Sequence, residues 1–120
     1  MKFVDKNIRE VLKTDEFDLY YQNLDERTRN KYDYAIHIIK TIKVVSEKFV
    51  KKIQDTEFYE VRISVGTNEH RTMLITADNP NFMEATTIVL LNSFLKKDNK
   101  QYKREVEKAR LIIKRLEEQI

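Results

Sequence analysis

The chain contains no cysteine, one glycine, one proline and only two histidines in 120 residues. Without cysteine there is no disulfide and no thiolate metal site, which fits a reducing cytoplasm. His37 and His70 are too few for most all-protein zinc sites, so no metal or other cofactor is expected. The scarcity of glycine and proline leaves little room for long irregular loops and favours regular elements joined by short turns. No apolar run approaches the roughly 18 residues that cross a bilayer, and MKFVDKNIRE lacks the apolar core of a secretory signal, so no membrane partner is expected.

What is present is a body with 41% hydrophobic and 36% charged residues, enough for one domain over residues 1–120. The formal net charge is only +3, but it is uneven. Lys96 to Arg104 (KKDNKQYKR) holds five basic residues and one acidic, a local +4. Such a patch suits a polyanion or an acidic protein, or it is the solvated start of a helix with no partner.

The pattern predicts helices first and strands afterwards. Asn7 to Lys13 is a candidate first strand of poor alternation. Thr14 fits a helix N-cap ahead of Asp15 and Glu16, and Asp25 fits the cap of a longer helix with Tyr32, Ala35, Ile36, Ile39 and Ile42 on one face. His37 falls inside that helix as a packing residue. Ser46 is the expected cap of a short third helix carrying Phe49, Val50 and Ile53. After Asp55 the period becomes two: Tyr59, Val61, Ile63 and Val65 share one face and Phe58, Glu60, Arg62 and Ser64 the other. Gly66-Thr67-Asn68 signals a hairpin, with a return strand over 69–77. Asp78 to Asn81 reads as a loop. Thr86 to Phe94 reads as a central strand with both faces covered. A helix from near Asn99 to the end carries Tyr102, Val106, Ala109, Ile113, Leu116 and Ile120 as a stripe, for docking on its own sheet or for a partner helix.

Three motifs stand in order: Glu60-Val61-Arg62-Ile63, Glu69-His70-Arg71 and Phe94-Leu95-Lys96-Lys97. With the surrounding order of elements, over about Glu57 to Glu107, the chain resembles the RelE/ParE superfamily of type II toxins, in its HigB-like, phage-derived branch. The resemblance implies an α+β fold, a small antiparallel β-meander with N-terminal helices and a C-terminal helix. It implies a cytoplasmic toxin held inactive by an antitoxin, often a helix-turn-helix protein. RelE-type members are metal-independent endoribonucleases that cut mRNA in the ribosomal A site. ParE-type members bind DNA gyrase and do not cleave RNA, and a catalytically silent relative would bind antitoxin alone.

Cleavage of RNA without a metal uses the ribose 2′-hydroxyl against the adjacent phosphate, so charge builds on the phosphoryl oxygens. Guanidinium groups suit that charge because their planar fork binds two oxygens and stays protonated. On the resemblance, Arg71 is the expected transition-state stabiliser and Arg62 a second clamp. Lys97 serves beside them as a neutralising or proton-donating group. Lys96, Lys100, Tyr102, Lys103, Arg104 and His70 are the expected RNA-binding residues. The structural alternatives stay open: Arg62 paired with Glu60 or Glu69, Arg71 paired with Glu84, surface lysines, and Tyr102 as the start of the apolar stripe. His70 stands where the family usually has tyrosine, as a general base or as an aromatic substitute pointing away from Arg71. The lysines after the last strand bind phosphate as point charges, less strictly than arginine would. The hairpin register, and so whether Arg62 and Arg71 share a face, is not fixed by parity alone.

Overall fold

The structure, a computed structural model, describes residues 6–120. Met1 to Asp5, and with them half of the reading against a secretory signal, lie outside the described residues. The elements run Glu10–Lys13 (β1), Asp15–Gln22 (α1), Glu26–Thr41 (α2), Val50–Lys52 (β2), Tyr59–Val65 (β3), Asn68–Thr76 (β4), Thr87–Leu95 (β5) and Gln101–Glu118 (α3). They form an α+β fold around one five-stranded sheet in the order β1-β5-β4-β3-β2. β2 to β5 make the expected antiparallel meander, but β1 adds in parallel beside β5, so the sheet is mixed.

The N-termini of α1 and α2 are capped by the residues the sequence suggests. The Thr14 hydroxyl accepts from the Phe17 N–H at 3.2 Å and donates to the Leu90 carbonyl at 2.9 Å, tying α1 to β5. Asp25 Oδ1 accepts from the Thr28 N–H at 2.8 Å and starts α2. These caps place two amphipathic helices on one sheet face. Phe17, Tyr32, Ile36 and Ile39 pack there against Val61, Ile63, Leu74, Ile88 and Leu90. The other face is covered by α3, whose Val106, Ala109 and Ile112 meet Phe58, Met73, Leu91 and Phe94. Tyr102, Ile113 and Leu116 complete that contact, whereas Ile120 is exposed. β5, covered on both faces and flanked by β1 and β4, lies inside the sheet as its apolar run predicts.

The helix expected after Ser46 does not form. Ser46 does cap a turn, its hydroxyl accepting from the Lys48 N–H at 3.1 Å and its carbonyl from the Phe49 N–H at 2.9 Å. After that single turn the chain extends, and Val50 pairs with Val61 across the sheet edge. Phe49, Val50 and Ile53 fit either period, and the open edge of β3 decides for the strand. His37 is exposed on α2 instead of packed.

The hairpin turn is Gly66-Thr67, with Val65 facing Asn68. Gly66 has φ +59 where a two-residue turn needs a positive value at its first central residue. That turn fixes the register, so Arg62 faces Arg71 directly and the two Cβ atoms share a sheet face. One irregularity follows on β5. Thr72 faces Ser93 but Leu74 faces Leu90, so Leu91 and Asn92 together oppose Met73. This bulge turns both side chains toward α3, and Asn92 Nδ2 donates to Glu105 Oε1 at 3.1 Å.

Candidate nucleic-acid interface

Although Arg62 and Arg71 face each other, their side chains part. Arg71 lies beneath α3 and is 2% exposed. Its Nε is 3.0 Å from Glu60 Oε1, an ion pair whose N–H is not aimed along the contact. Its Nη1 donates to the His70 carbonyl at 3.0 Å, and its Nη2 reaches Glu69 Oε1 at 3.4 Å. Glu60 is itself buried, and the Tyr102 hydroxyl donates to its two oxygens at 2.6 and 3.0 Å. Burial, and then the hydrogen bond to Glu60, push the Tyr102 hydroxyl up to about 12. The Ser64 hydroxyl, and after it Arg71, hold the Glu69 carboxyl below its ordinary range. Glu84, the other carboxylate weighed for Arg71, pairs with Lys43 at 3.3 Å instead.

Lys96 joins this cluster from the end of β5. Its N–H donates to the Glu69 carbonyl at 2.7 Å, and its Nζ sits 5.7 Å from the centre of the Tyr102 ring. From there the basic segment turns the corner into α3. Gln101 Oε1 accepts from the N–H groups of Lys97 and Asp98, and Asp98 Oδ1 accepts from the N–H of Lys100 at 2.8 Å. The turn so fixed leaves Lys97, Lys100, Lys103 and Arg104 exposed around the half-buried Lys96 and Tyr102. Arg104 also lies 3.7 Å from the buried carboxylate of Glu105.

Arg62 pairs with neither Glu60 nor Glu69. Its Nη1 donates to the Glu47 carbonyl at 3.4 Å, and the side chain lines a separate cleft at the β2 side of the sheet. His70 points to the opposite face from Arg71, as neighbours in a strand do. It is 7% exposed, with Nδ1 2.8 Å from the Tyr20 hydroxyl and its ring edge-on to Tyr20 and Tyr32. Burial lowers the His70 pKa against the opposing pull of Asp25 and Glu69. The fold thus brings Arg71, Lys96, Tyr102 and the Lys97–Arg104 rim together, and sets Arg62 and His70 apart. Sequence reading missed Glu60 and Glu69 as the partners that hold Arg71. The two-residue Gly66-Thr67 turn was the signal for them, since it sets Glu69 and Arg71 beside Ser64 and Arg62.

Among the described residues, no three carboxylate or histidine side chains gather as a metal site, and no helix is long and apolar enough to cross a membrane. A mixed sheet held between two N-terminal helices and a basic C-terminal helix is the RelE-like toxin architecture. The model of the family described as "Phage derived protein Gp49-like (DUF891)" matches residues 20–114, and the chain belongs to that family, which is toxin-like and of RelE/HigB type. Membership points to an antitoxin as partner. Neither the curated proteins nor the solved structures give a match to this chain.

Proposed function

We propose that this protein is the toxin of a type II toxin–antitoxin pair and a metal-independent, ribosome-dependent mRNA endoribonuclease. The observation that carries the reading is the convergence of Arg71, Lys96 and Tyr102 beneath a rim of Lys97, Lys100, Lys103 and Arg104. Six cations within one corner of the fold supply the field that gathers an RNA backbone. In the reaction, the 2′-hydroxyl gives its proton to water as its oxygen bonds to phosphorus, while the bond to the 5′-oxygen breaks and that oxygen takes up a proton. Lys97 and Lys96 neutralise or protonate there. Arg71 reaches a phosphate by exchange: Glu69 holds Nη2 through a long contact at the surface, and a phosphate oxygen replaces it. Glu60 stays behind as the charge partner of Nε, and the bond from Nη1 to the His70 carbonyl fixes the guanidinium plane. Tyr102, locked to Glu60, presents its ring to the rim, where it stacks on a base.

Induction in a bacterial host, followed by sequencing of mRNA 5′ ends, tests this. New ends in register with codons, absent from a Lys96→Ala/Lys97→Ala variant that still binds antitoxin, are expected. A second reading rests on the same Arg71: its nitrogens already have protein partners, as a purely structural residue's would. On that reading the toxin binds a protein such as DNA gyrase, or only its antitoxin, and arrested growth without new RNA ends would select the gyrase-type toxin.

A further inference from the structure

The cleft that Arg62 lines has no part in the cluster around Arg71. It lies between α2, the turn at 46–49 and β3, with a volume of about 510 Å³. Arg27 and Lys31 of α2, Lys48 of the turn and Arg62 of β3 surround it, with Tyr34 and Phe49 as its aromatic part. None of its lining residues is acidic, and no carboxylate of the described residues lies at ion-pair distance from those four cations. Asp25 and Glu69 feel the charges of Arg27 and Arg62, but beyond ion-pair distance. Tyr34 is 59% exposed and its ring is tilted 60° to that of Phe49 at 5.9 Å, so the tyrosine face is open to a stacking partner.

Four cations around an exposed tyrosine ring, backed by the half-buried Phe49, suit a single-stranded nucleic acid, whose phosphates and bases alternate. An acidic peptide adding a strand to the sheet suits the cleft less well. Lys31 Nζ already donates to the Ser64 carbonyl at 2.9 Å, and the Arg62 N–H already donates to the Phe49 carbonyl at 2.8 Å. Those bonds close the β3 edge to an incoming backbone. Yet Lys31 spends one of three donors there and Arg62 one of five on Glu47, which leaves donors for phosphate. Ser64 of the cleft faces Glu69, whose carbonyl holds Lys96 of the rim, so the two basic regions lie at the same end of the sheet.

We propose that this cleft is a second subsite for single-stranded RNA, where a base stacks on Tyr34 and Phe49 and the neighbouring phosphates sit against Arg27, Lys31, Lys48 and Arg62. It rests on the RNA reading above and extends it. The test is fluorescence polarisation of a short labelled single-stranded RNA over a salt series, with wild type, Tyr34→Ala/Lys48→Ala and Lys97→Ala/Lys100→Ala. Tyr34 and Lys48 are exposed, so their loss leaves the core intact. The cleft variant is expected to bind about tenfold or more weakly, with its log–log salt slope reduced by about 0.7 for the lost phosphate contact. Unchanged affinity in the cleft variant, with loss in the rim variant, overturns the subsite while leaving the RNA reading standing. So does a wild type that binds no RNA at low salt. Displacement of the RNA by an acidic peptide at equal concentration overturns it in favour of a protein partner. Loss of binding in the cleft variant, alongside no new mRNA ends from the wild type in cells, supports the subsite and removes the nuclease.

Discussion

At the scale of single residues, Arg71 and Glu60 govern one another. Removing one member of a buried ion pair leaves the other charge uncompensated, which costs about 3–5 kcal/mol. Arg71→Ala is therefore expected to lose stability of that order in urea denaturation, and adding Glu60→Gln to recover most of it. A single variant within 1 kcal/mol of wild type would show that the pair is not buried as described. This coupling is why substitutions at Lys96 and Lys97, nearer the surface, separate activity from folding more cleanly. His70 makes a second prediction. Its folded pKa is lowered by burial, so below about pH 6.5 the unfolded chain binds the proton more readily than the folded one. Thermal stability should fall as pH drops from about 6.5 through the lowered folded value, then level until the carboxylates protonate. His70→Gln should flatten that part of the melting profile.

At the scale of elements, helices and strands were legible where capping and period agree, at Thr14, Asp25, Tyr59–Val65 and the α3 stripe. They were not legible where a short apolar run fits both periods, as at Phe49 to Ile53, because a pairing edge far away in sequence decides. The parallel docking of β1 is equally remote information. Arg9 is the clearest case. It is buried, yet it donates to the carbonyls of Ile39 at 2.9 Å, Ile42 at 2.7 Å and Lys43 at 2.7 Å, and its guanidinium lies 4.4 Å from the Phe82 ring centre. It thereby satisfies the open carbonyls at the end of α2 and holds the 82–83 loop against them. Nothing local in NIREVLK announces this. Arg9→Lys keeps the charge but cannot serve so many acceptors, and unmet buried carbonyls cost about 1–3 kcal/mol each. It should lower the melting temperature while leaving RNA affinity unchanged, as calorimetry and polarisation together would show.

Across the whole molecule, a net charge of +3 conceals two basic regions on either side of one hairpin, the α3 rim and the Arg62 cleft. The rim was legible as KKDNKQYKR because its charges are consecutive. The cleft was not, because Arg27, Lys31, Lys48 and Arg62 come from three segments that only the fold assembles. Binding that draws on both should be steeply salt-dependent, each phosphate contact contributing about 0.7 to the slope on single strands. A slope near zero in wild type would contradict an electrostatic interface. The proposed nuclease activity depends on whether a 2′-hydroxyl does the cutting, and the ends of the RNA report that directly. The decisive measurement is the end chemistry of mRNA from a purified translation reaction given this protein. A 5′-hydroxyl paired with a 2′,3′-cyclic phosphate is the predicted result, and 5′-phosphate ends, or intact mRNA, would contradict it.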